Sequence, residues 1–375
     1  MLSFLNLFKK VDYFLLAPVL MIALFSLATL SSFDSNNIFF YKQIIWIIIG
    51  TTLFLIISKI DFSFLKNTKS VVIFYSVTNV LLASTLVFGS AIKGSKAWLD
   101  FGFFSLQPVD FVKLSLIILL AKYFSKRHVE IKYVRHIIVS FFYTAIPVAI
   151  TLLQPDFGSA MVMLLIWFIM VSMSGLSKKH FGAMCVMGII TLAILWTSVF
   201  KDYQKERVLT FLDPLRDVRG SGYNVFQSEI AIGSGGLLGK GVGYGTQSRL
   251  NFLPEYRTDF IFAAFAEEWG LVGSIILCLL ILTILLRVLF ISMSQNDNFL
   301  SLIGTGVFAW IFVHSTINIG MNMGVMPVTG IPLPFMSYGG SHFISGCISL
   351  GIVASFNFNQ FNIRKSYKNE FLGLE

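Results

Sequence analysis

Charged residues are scarce in this chain of 375 residues: they make up 13% of it, while hydrophobic residues make up 56%. A soluble domain carries about a quarter charged residues, so a water-facing globular protein is excluded. The 39 Phe, within an aromatic share of 15%, also exceed what one water-facing core could bury. Apolar runs as long as a bilayer is wide recur along the whole chain, which predicts a polytopic membrane protein.

Cysteine and histidine are too few and too scattered for a disulfide framework or a metal cage. Cys185, Cys278 and Cys347 lie in apolar stretches without a CxxC motif, and we interpret them as packing residues. The five histidines show no ligand spacing, so the sequence assigns no metal ligands. The net charge of +9 comes without a basic helix or zinc spacing. It predicts cytoplasmic membrane loops rather than a nucleic-acid partner.

Ten apolar segments have the length of a transmembrane helix. The apolar run of the first is too long for a signal peptide and no cleavage site follows it, so we expect it to stay as an anchor. The predicted fold class is an all-α integral membrane protein. It is a bundle of about ten transmembrane helices in a single polytopic domain, 1–375, with a large extracytoplasmic loop, about 201–257, between spans 7 and 8. The predicted spans are 13–33, 38–58, 70–91, 108–124, 137–153, 157–174, 181–200, 259–290, 299–322 and 340–358.

Basic residues in the short loops predict that both termini are cytoplasmic. With the N-terminus inside, the inner segments hold sixteen Lys and Arg, and the short outer loops hold three. The 201–257 loop adds eight basic residues outside, offset by six acids, but its length is near the limit of the rule. The inner residues are Lys9, Lys10, Lys59, Lys66, Lys69, Lys122, Lys126, Arg127, Lys132, Arg135, Lys178, Lys179, Arg287, Arg364, Lys365 and Lys368, and the outer ones are Lys42, Lys93 and Lys96.

The 201–257 loop carries nine Gly, most of them in SGGLLGKGVGYG (234–245). The phosphate-loop motif GxxxxGK[ST] is absent, so the glycines predict turns and close backbone approach instead of a nucleotide site. We expect short amphipathic or re-entrant helices that cap a cavity. Arg207, Lys240 and Arg249 either meet a pyrophosphate at the membrane surface or are solvated loop charges.

Five ionisable residues lie in or beside apolar spans, where charge is costly. Asp110 and Lys113 are three apart on one helix face and should pair, either to position helices or to line a polar substrate cavity. Glu267 and Glu268 point about 100° apart on a helix, so they form no carboxylate dyad and a structural role is favoured.

Asp259 opens the eighth span directly after the outer loop. It is either a helix-start carboxylate, with Thr258 as N-cap, or a general base at the mouth of a cavity beside Arg257 and Glu255. Spacing leaves both readings open. The PLP at 332–334 and the SYGG that begins at Ser337 should break the helix before the last span, as a turn or a cavity floor.

Several segments together resemble one family, the SEDS proteins (shape, elongation, division and sporulation), which are peptidoglycan polymerases of bacterial inner membranes. The GIPLPFMSYGGS ending is more similar to the elongation branch than to the division branch. The matching segments are WLDFGFFSLQP (98–108) followed by KL (113–114), QPDFGSA (154–160), GYNVFQSEIAIGSGGLLGKG (222–241), TQSRLNFLPEYRTDFIFAAFAEEWGLVG (246–273) and NIGMNMGVMPVTGIPLPFMSYGGS (318–341).

The resemblance implies that a disaccharide-peptide unit of lipid II is transferred to the 4-hydroxyl of another glycan chain, with polyprenyl pyrophosphate as leaving group. It makes Asp259, the acid of the TDF motif, the catalytic base, and a single base opposite the leaving group implies inversion. Basic groups or a divalent cation, Mg²⁺ or Mn²⁺, should meet the pyrophosphate at the outer face. The substrate-binding candidates are Lys96, Trp98, Asp110, Lys113, Asp156, Arg207, Lys240, Arg249, Glu255 and Ser337.

Two positions depart from the family pattern: Asp110 stands where Glu is usual, and Ala97 where Arg is usual. If the usual Arg contacts a phosphate, this chain must make that contact with another residue or not at all.

The resemblance further implies a class B penicillin-binding protein, a transpeptidase, as partner, together with other membrane proteins of the elongation complex. Gly304 and Gly306 on the ninth span predict close packing against another helix, in the bundle or in that partner.

Two other functions fit the same pattern. A polar-lined cavity among ten spans also suits a lipid II flippase, and a scaffold that only recruits a transpeptidase would need no chemistry. The scaffold leaves the acid at Asp259 unexplained. Polymerisation of lipid II in detergent, where there are no sides to cross, separates the polymerase from the flippase.

Overall fold

The computed structural model describes residues 11–32, 38–92, 95–102, 104–126, 134–198, 202–213, 220–250 and 252–371. The described part is mainly helical, and its ten long helices coincide with the ten predicted spans. The basic residues Lys9, Lys10, Lys93, Arg127 and Lys132, used for orientation, lie outside the described residues. The long helices are α1 Tyr13–Ser31, α2 Ile38–Ile57, α3 Thr68–Phe88, α4 Pro108–Ser125, α5 Val134–Leu153, α6 Phe157–Met173, α7 Lys178–Ser198, α11 Ile261–Met293, α12 Asn298–Asn322 and α13 Gly340–Phe371.

Six of the described helices, α1, α2, α3, α5, α11 and α12, are long and apolar enough to cross a membrane. The shorter α6 and the 340–356 part of α13 are also apolar. Helix α4 carries Asp110, Lys113 and Lys122 within its 18 residues, which lowers its hydropathy although most of it is buried. These properties define a multi-pass helical membrane protein, as the composition predicts.

The 201–257 loop contains the short helices that its length predicts, with α8 at Asp202–Leu212, α9 at Ser221–Ser234 and α10 at Thr246–Arg249. A small antiparallel sheet between α3 and α4 was not predicted. Its strands are β1 Ser90–Ile92, β2 Ser95–Asp100 and β3 Ser105–Leu106, and they pair in the order β1-β2-β3. With six residues or fewer, they are too short to show an alternation of period two in the sequence. A 3₁₀ turn at Phe62–Lys66 lies between α2 and α3.

The eighth span is not one continuous helix, contrary to the prediction for 259–290. At Gly270 the backbone has φ 66° and ψ −163°, which only glycine adopts readily. The glycine-rich segment 235–241 lies against this break and supplies the missing backbone partners. Leu271 N donates to the Gly236 carbonyl at 2.9 Å, and Lys240 N donates to the Glu267 carbonyl at 3.0 Å. The break is therefore hydrogen-bonded by the outer loop.

The close backbone approach expected of the glycine-rich loop is confirmed at this break. Gly239 has φ +82°, and an ideal Cβ on it would lie 2.1 Å from the carbonyl oxygen of Glu268. No side chain fits there without moving the backbone of α11. The glycines thus let the loop pack directly on the broken helix.

Helix α12 packs against α4, α6, α11 and α13 and lies in the middle of the bundle. Its small residues face other helices of this chain. An ideal Cβ on Gly304 would lie 1.8 Å from Ser292 Oγ of α11, and one on Gly306 would lie 2.3 Å from Ile117 of α4. The close packing predicted for these glycines is therefore found within the bundle.

Candidate active site

Asp259 lies in a turn, residues 254–260, that precedes α11. The prediction that Thr258 caps this helix is wrong. The N-cap is Phe260, which makes no side-chain capping bond, and Thr258 Oγ1 instead donates to Glu255 Oε2 at 3.1 Å. The first turn of α11 is capped from another helix, because Asn322 Oδ1 accepts the Ala263 N–H at 3.1 Å.

The connecting loop, residues 323–339 between α12 and α13, packs on this turn. Ser337 Oγ donates to the Thr258 carbonyl at 2.6 Å and accepts from Leu333 N at 2.8 Å. Tyr338 N donates to the Arg257 carbonyl at 2.9 Å. Burial raises the pKa of the Tyr338 hydroxyl, so it stays protonated at neutral pH. The turn predicted around PLP and SYGG is confirmed, with Ser337 as its internal bridge.

The Asp259 carboxylate faces the connecting loop. The side chain is half-buried, and an ideal Cβ on Gly330 would lie 3.6 Å from Asp259 Oδ2. Gly330 has φ +73°, a conformation that favours glycine, so the loop comes close to the carboxylate without a side chain in between. A half-exposed carboxylate against a backbone loop can accept a proton from a bound hydroxyl.

Two other predicted site residues border the same loop. Asp156 caps α6 by accepting the Ser159 N–H at 3.0 Å, two residues before a close contact between the helix and the loop. In that contact an ideal Cβ on Gly158 would lie 2.6 Å from the Thr329 carbonyl oxygen. Arg207 of α8 donates to the carbonyl of Val328 at 3.5 Å. Asp156, Arg207 and Asp259 therefore lie around one stretch of loop, residues 328–330.

The predicted residues before the fourth span lie on β2. Lys96 is exposed, Trp98 is half-buried, and Ala97 between them is buried, so no long basic side chain could extend into solvent from that position without rearrangement. The strand joins the turn before α6, because Ser95 Oγ donates to the Gln154 carbonyl at 2.7 Å. This contact brings the strand towards Asp156.

Lys240 contacts both α11 and the outer loop, whereas Arg249 contacts the outer loop. Lys240 Nζ lies 2.8 Å from Glu267 Oε1 in an ion pair and 2.9 Å from Thr246 Oγ1. Arg249 is exposed and donates to the Gly243 carbonyl at 3.2 Å. Of the two, Arg249 has the more exposed side chain.

The adjacent acids of α11, Glu267 and Glu268, accept hydrogen bonds from different groups, as their angular separation on the helix predicts. Glu267 is fully buried and accepts from the backbone N–H groups of residues 246, 247 and 248 at 2.7 to 3.3 Å. Glu268 accepts from Ser32 Oγ at 2.5 Å and from Gly243 N at 2.9 Å. The two carboxylates therefore serve as separate anchors for the outer loop.

A buried polar cluster lies deeper in the bundle. Lys113 Nζ is 3.1 Å from Asp110 Oδ1, the pair that the spacing predicts, and both side chains are at most 3% exposed. His342 Nδ1 lies 3.3 Å from the same Asp110 oxygen, and His314 Nε2 lies 3.4 Å from Lys113 Nζ. The two imidazole centroids are 4.8 Å apart. Histidines that look scattered in the sequence thus join the predicted ion pair.

Sequence reasoning missed three polar residues of α12 that contact the site: His314, Asn318 and Asn322. Their spacing of four residues puts them on one face of an apolar helix, and polar residues spaced in this way within a span indicate a buried polar face. Asn318 Nδ2 and Asn322 Nδ2 both donate to the Asp259 carbonyl, at 2.9 and 3.0 Å. The Asp259 turn is therefore contacted by α12 and the connecting loop, and α6 and α8 contact the adjoining loop residues 328 and 329.

The described residues contain no group of three or more His, Cys, Asp or Glu side chains arranged to hold a metal ion. In the buried cluster the Lys113 ammonium lies between Asp110 and His314 and supplies a positive charge there, while His342 contacts Asp110 directly. The described residues therefore assign no protein ligands to a divalent cation.

Comparison with known proteins identifies the family. Residues 5–361 match the model of the FtsW/RodA/SpoVE family, described as cell cycle protein. The peptidoglycan glycosyltransferase MrdB of Escherichia coli K12 is 39% identical over 292 residues, which is 78% of this chain and 79% of that protein.

Two solved structures have the same fold. A chain in a peptidoglycan synthase complex that coordinates polymerization and crosslinking is 28% identical, with a TM-score of 0.81, over 94% of this chain and 99% of the other. The rod shape determining protein RodA of Thermus thermophilus is 27% identical, with a TM-score of 0.70, over 93% of this chain and 98% of that one.

The fold and site define a multi-pass membrane protein in which an acidic residue, Asp259, lies in a turn between the 201–257 loop and a broken helix. The chain belongs to the FtsW/RodA/SpoVE family, the SEDS proteins, which confirms the resemblance carried by its motifs.

Proposed function

We propose that this chain is a peptidoglycan glycosyltransferase that polymerises lipid II during cell elongation, with Asp259 as general base. The observation that carries the catalytic assignment is the half-buried Asp259 carboxylate, which faces Gly330 in a loop bordered by Asp156 and Arg207. The relationship to MrdB, a peptidoglycan glycosyltransferase, supports the reaction and the elongation role.

The proposed reaction joins the 4-hydroxyl of one glycan to the anomeric carbon of another. Asp259 takes the hydroxyl proton as the new C–O bond forms, and the bond to polyprenyl pyrophosphate breaks with its electron pair. Attack opposite the leaving group inverts an α-linked donor into a β-linked glycan, and no covalent enzyme intermediate is required.

Charge on the departing pyrophosphate must be met by cationic groups at the outer face. Arg207, Arg249 and Lys96 supply positive charge there, whereas Lys240 is paired with Glu267. We therefore assign the pyrophosphate to the first three residues rather than to Lys240. A Mg²⁺ or Mn²⁺ ion bound with the pyrophosphate stays a prediction, to be tested by adding a chelator to the polymerisation assay.

The test is polymerisation of lipid II by detergent-solubilised protein. Asp259→Asn keeps the side-chain volume and removes the base, so turnover should fall by at least about 10²-fold. Asp213→Asn, which changes an exposed acid at the end of α8, is the matched control and should polymerise normally.

Unchanged turnover of the Asp259→Asn protein would refute the base assignment. A wild-type protein that moves lipid II across vesicles but makes no polymer in detergent would favour the flippase instead.

We also propose a class B penicillin-binding protein as partner. We further propose that the chain lies in the bacterial inner membrane with both termini on the cytoplasmic side. The similar chain in the peptidoglycan synthase complex supports a transpeptidase partner. Helix α11 offers the contact surface, since Leu271, Ile275, Leu279, Leu282 and Leu286 are each about half exposed, in contrast to the mostly buried α12. Aspartate in place of Ile275 and Leu279 should abolish co-purification with the transpeptidase, and unchanged co-purification would exclude this face.

A further inference from the structure

Three polar side chains on α12 form a ladder inside an apolar span. His314, Asn318 and Asn322 are each fully buried, and their spacing of four residues aligns them on one face of the helix. Buried polar groups in a membrane helix are costly unless they are hydrogen-bonded, so each rung must have a partner.

Asn318 and Asn322 both bind the backbone of Asp259. Asn318 Nδ2 donates to the Asp259 carbonyl at 2.9 Å and to the Ile331 carbonyl at 2.7 Å. Asn322 Nδ2 donates to the Asp259 carbonyl at 3.0 Å, while its Oδ1 accepts from Ala263 N at 3.1 Å. One amide therefore joins the Asp259 turn to the connecting loop, and the next joins the turn to the start of α11.

His314 joins the connecting loop to the buried Asp110–Lys113 ion pair. His314 Nδ1 lies 3.2 Å from the Pro332 carbonyl, and His314 Nε2 lies 3.4 Å from Lys113 Nζ. A carbonyl only accepts, so Nδ1 carries the proton, and Nε2 can then accept from the lysine. The neutral ring satisfies both neighbours at once.

We propose that His314, Asn318 and Asn322 are positioning residues, which fix Asp259 against the connecting loop so that its carboxylate meets the attacking hydroxyl. The proposal rests on the proposed function of Asp259 as general base. The ladder holds both sides of the narrow gap in which Asp259 Oδ2 faces Gly330. A displacement of about 1 Å at a reacting group can cost about 10²-fold in rate.

The test compares kcat and KM for lipid II polymerisation in detergent. Asn318→Ala removes both bridging bonds and should lower kcat about 10- to 100-fold, with KM changed less than about threefold, because substrate contacts stay in place. Ser315→Ala is the matched control. Ser315 is buried on the same helix, and among the described residues its hydroxyl has no hydrogen-bond partner, so both constants should stay at wild-type values.

A second pair of variants keeps the test valid if Asn318→Ala fails to fold. His314→Asn places an N–H close to the position of Nδ1 and should keep most of kcat by preserving the bond to Pro332. His314→Leu removes that donor and should lower kcat about tenfold. This rescue by one hydrogen bond is not expected of a residue that only fills space.

The outcomes separate the two proposals. Wild-type kcat in Asn318→Ala, or equal kcat in His314→Asn and His314→Leu, would overturn the positioning role. If Asp259→Asn is inactive in the same assay, the base assignment survives that result. Full activity of Asp259→Asn would instead refute the proposed function, on which the positioning role depends.

Discussion

Replacing Glu267 by Gln is expected to open the outer loop locally. Glu267 Oε1 accepts four hydrogen bonds, from Lys240 Nζ, Thr246 N, Thr246 Oγ1 and Gln247 N, at 2.7 to 3.1 Å. Oε2 accepts two more, from Ser248 N at 3.3 Å and Ser248 Oγ at 3.1 Å. All six donors belong to residues 240–248, so this one carboxylate holds α10 and the chain before it.

The cost follows from what Gln can replace. Its oxygen can take the place of Oε1, but its NH₂ group then faces the Ser248 N–H, which loses its acceptor. An unsatisfied buried N–H costs about 1 to 3 kcal/mol, and loss of the charge weakens the bond from Lys240 by about 1 kcal/mol. A total of about 3 kcal/mol corresponds to an increase of about 10²-fold in the local opening equilibrium.

Hydrogen exchange measured by mass spectrometry reads this opening directly, because the amides of residues 246–248 donate to Glu267. We expect their exchange to accelerate about 10²-fold in Glu267→Gln. Glu268→Gln is the matched control, since Oε1 of Glu268 accepts both of its bonds and Oε2 has no partner in the described structure. A Gln there loses little, and exchange should change less than about tenfold. Equal exchange in the two variants would refute the assignment of Glu267 as the anchor of residues 246–248.

Three further predictions follow from the fold. The first concerns topology and uses a protein without native cysteines. Leu238 is 81% exposed, so Leu238→Cys should react with an impermeant thiol reagent added from the periplasmic side, whereas Lys179→Cys should not. The reverse labelling pattern would show that the proposed orientation is inverted. Gly158→Ala places a methyl group 2.6 Å from the Thr329 carbonyl oxygen and should lower kcat about tenfold. Gly182→Ala, which has open space around it, should leave kcat unchanged. Equal activity of the two variants would contradict the close contact between α6 and the connecting loop. Gly304→Leu should lower the Tm of the protein alone by several degrees, because its side chain would overlap α11, and an unchanged Tm would exclude that packing.

Hydropathy predicts the ten long helices because each span must satisfy its own backbone and present apolar residues to lipid, and both requirements are local. The Asp110–Lys113 pair is local in the same sense, since helical geometry alone brings the residues together. The short sheet β1-β2-β3 has no comparable pattern, because its strands are too brief to show one.

The parts that sequence reasoning missed depend on contacts between distant segments. His314 and His342 are 201 and 232 residues away from the partners that they reach in the buried cluster. The break at Gly270 is satisfied by a loop segment about 30 residues earlier, so the apolar run across it reads as one continuous span. Local periodicity carries no information about which segment supplies a missing partner.

The start of α11 shows why the Asp259 assignment needs the tertiary contacts. A carboxylate next to a helix start normally serves as a cap, and residue spacing alone leaves that reading and catalysis both open. Here the capping acceptor is Asn322 Oδ1, which binds Ala263 N, and the Asp259 carbonyl is held by the amides of Asn318 and Asn322. The Ala263 N–H at the helix start is therefore capped by Asn322 and not by the Asp259 carboxylate. It follows that Asp259→Ala should fold with a Tm close to that of the wild type while losing turnover, whereas replacing a capping carboxylate by Ala would cost about 0.5 to 2 kcal/mol of stability.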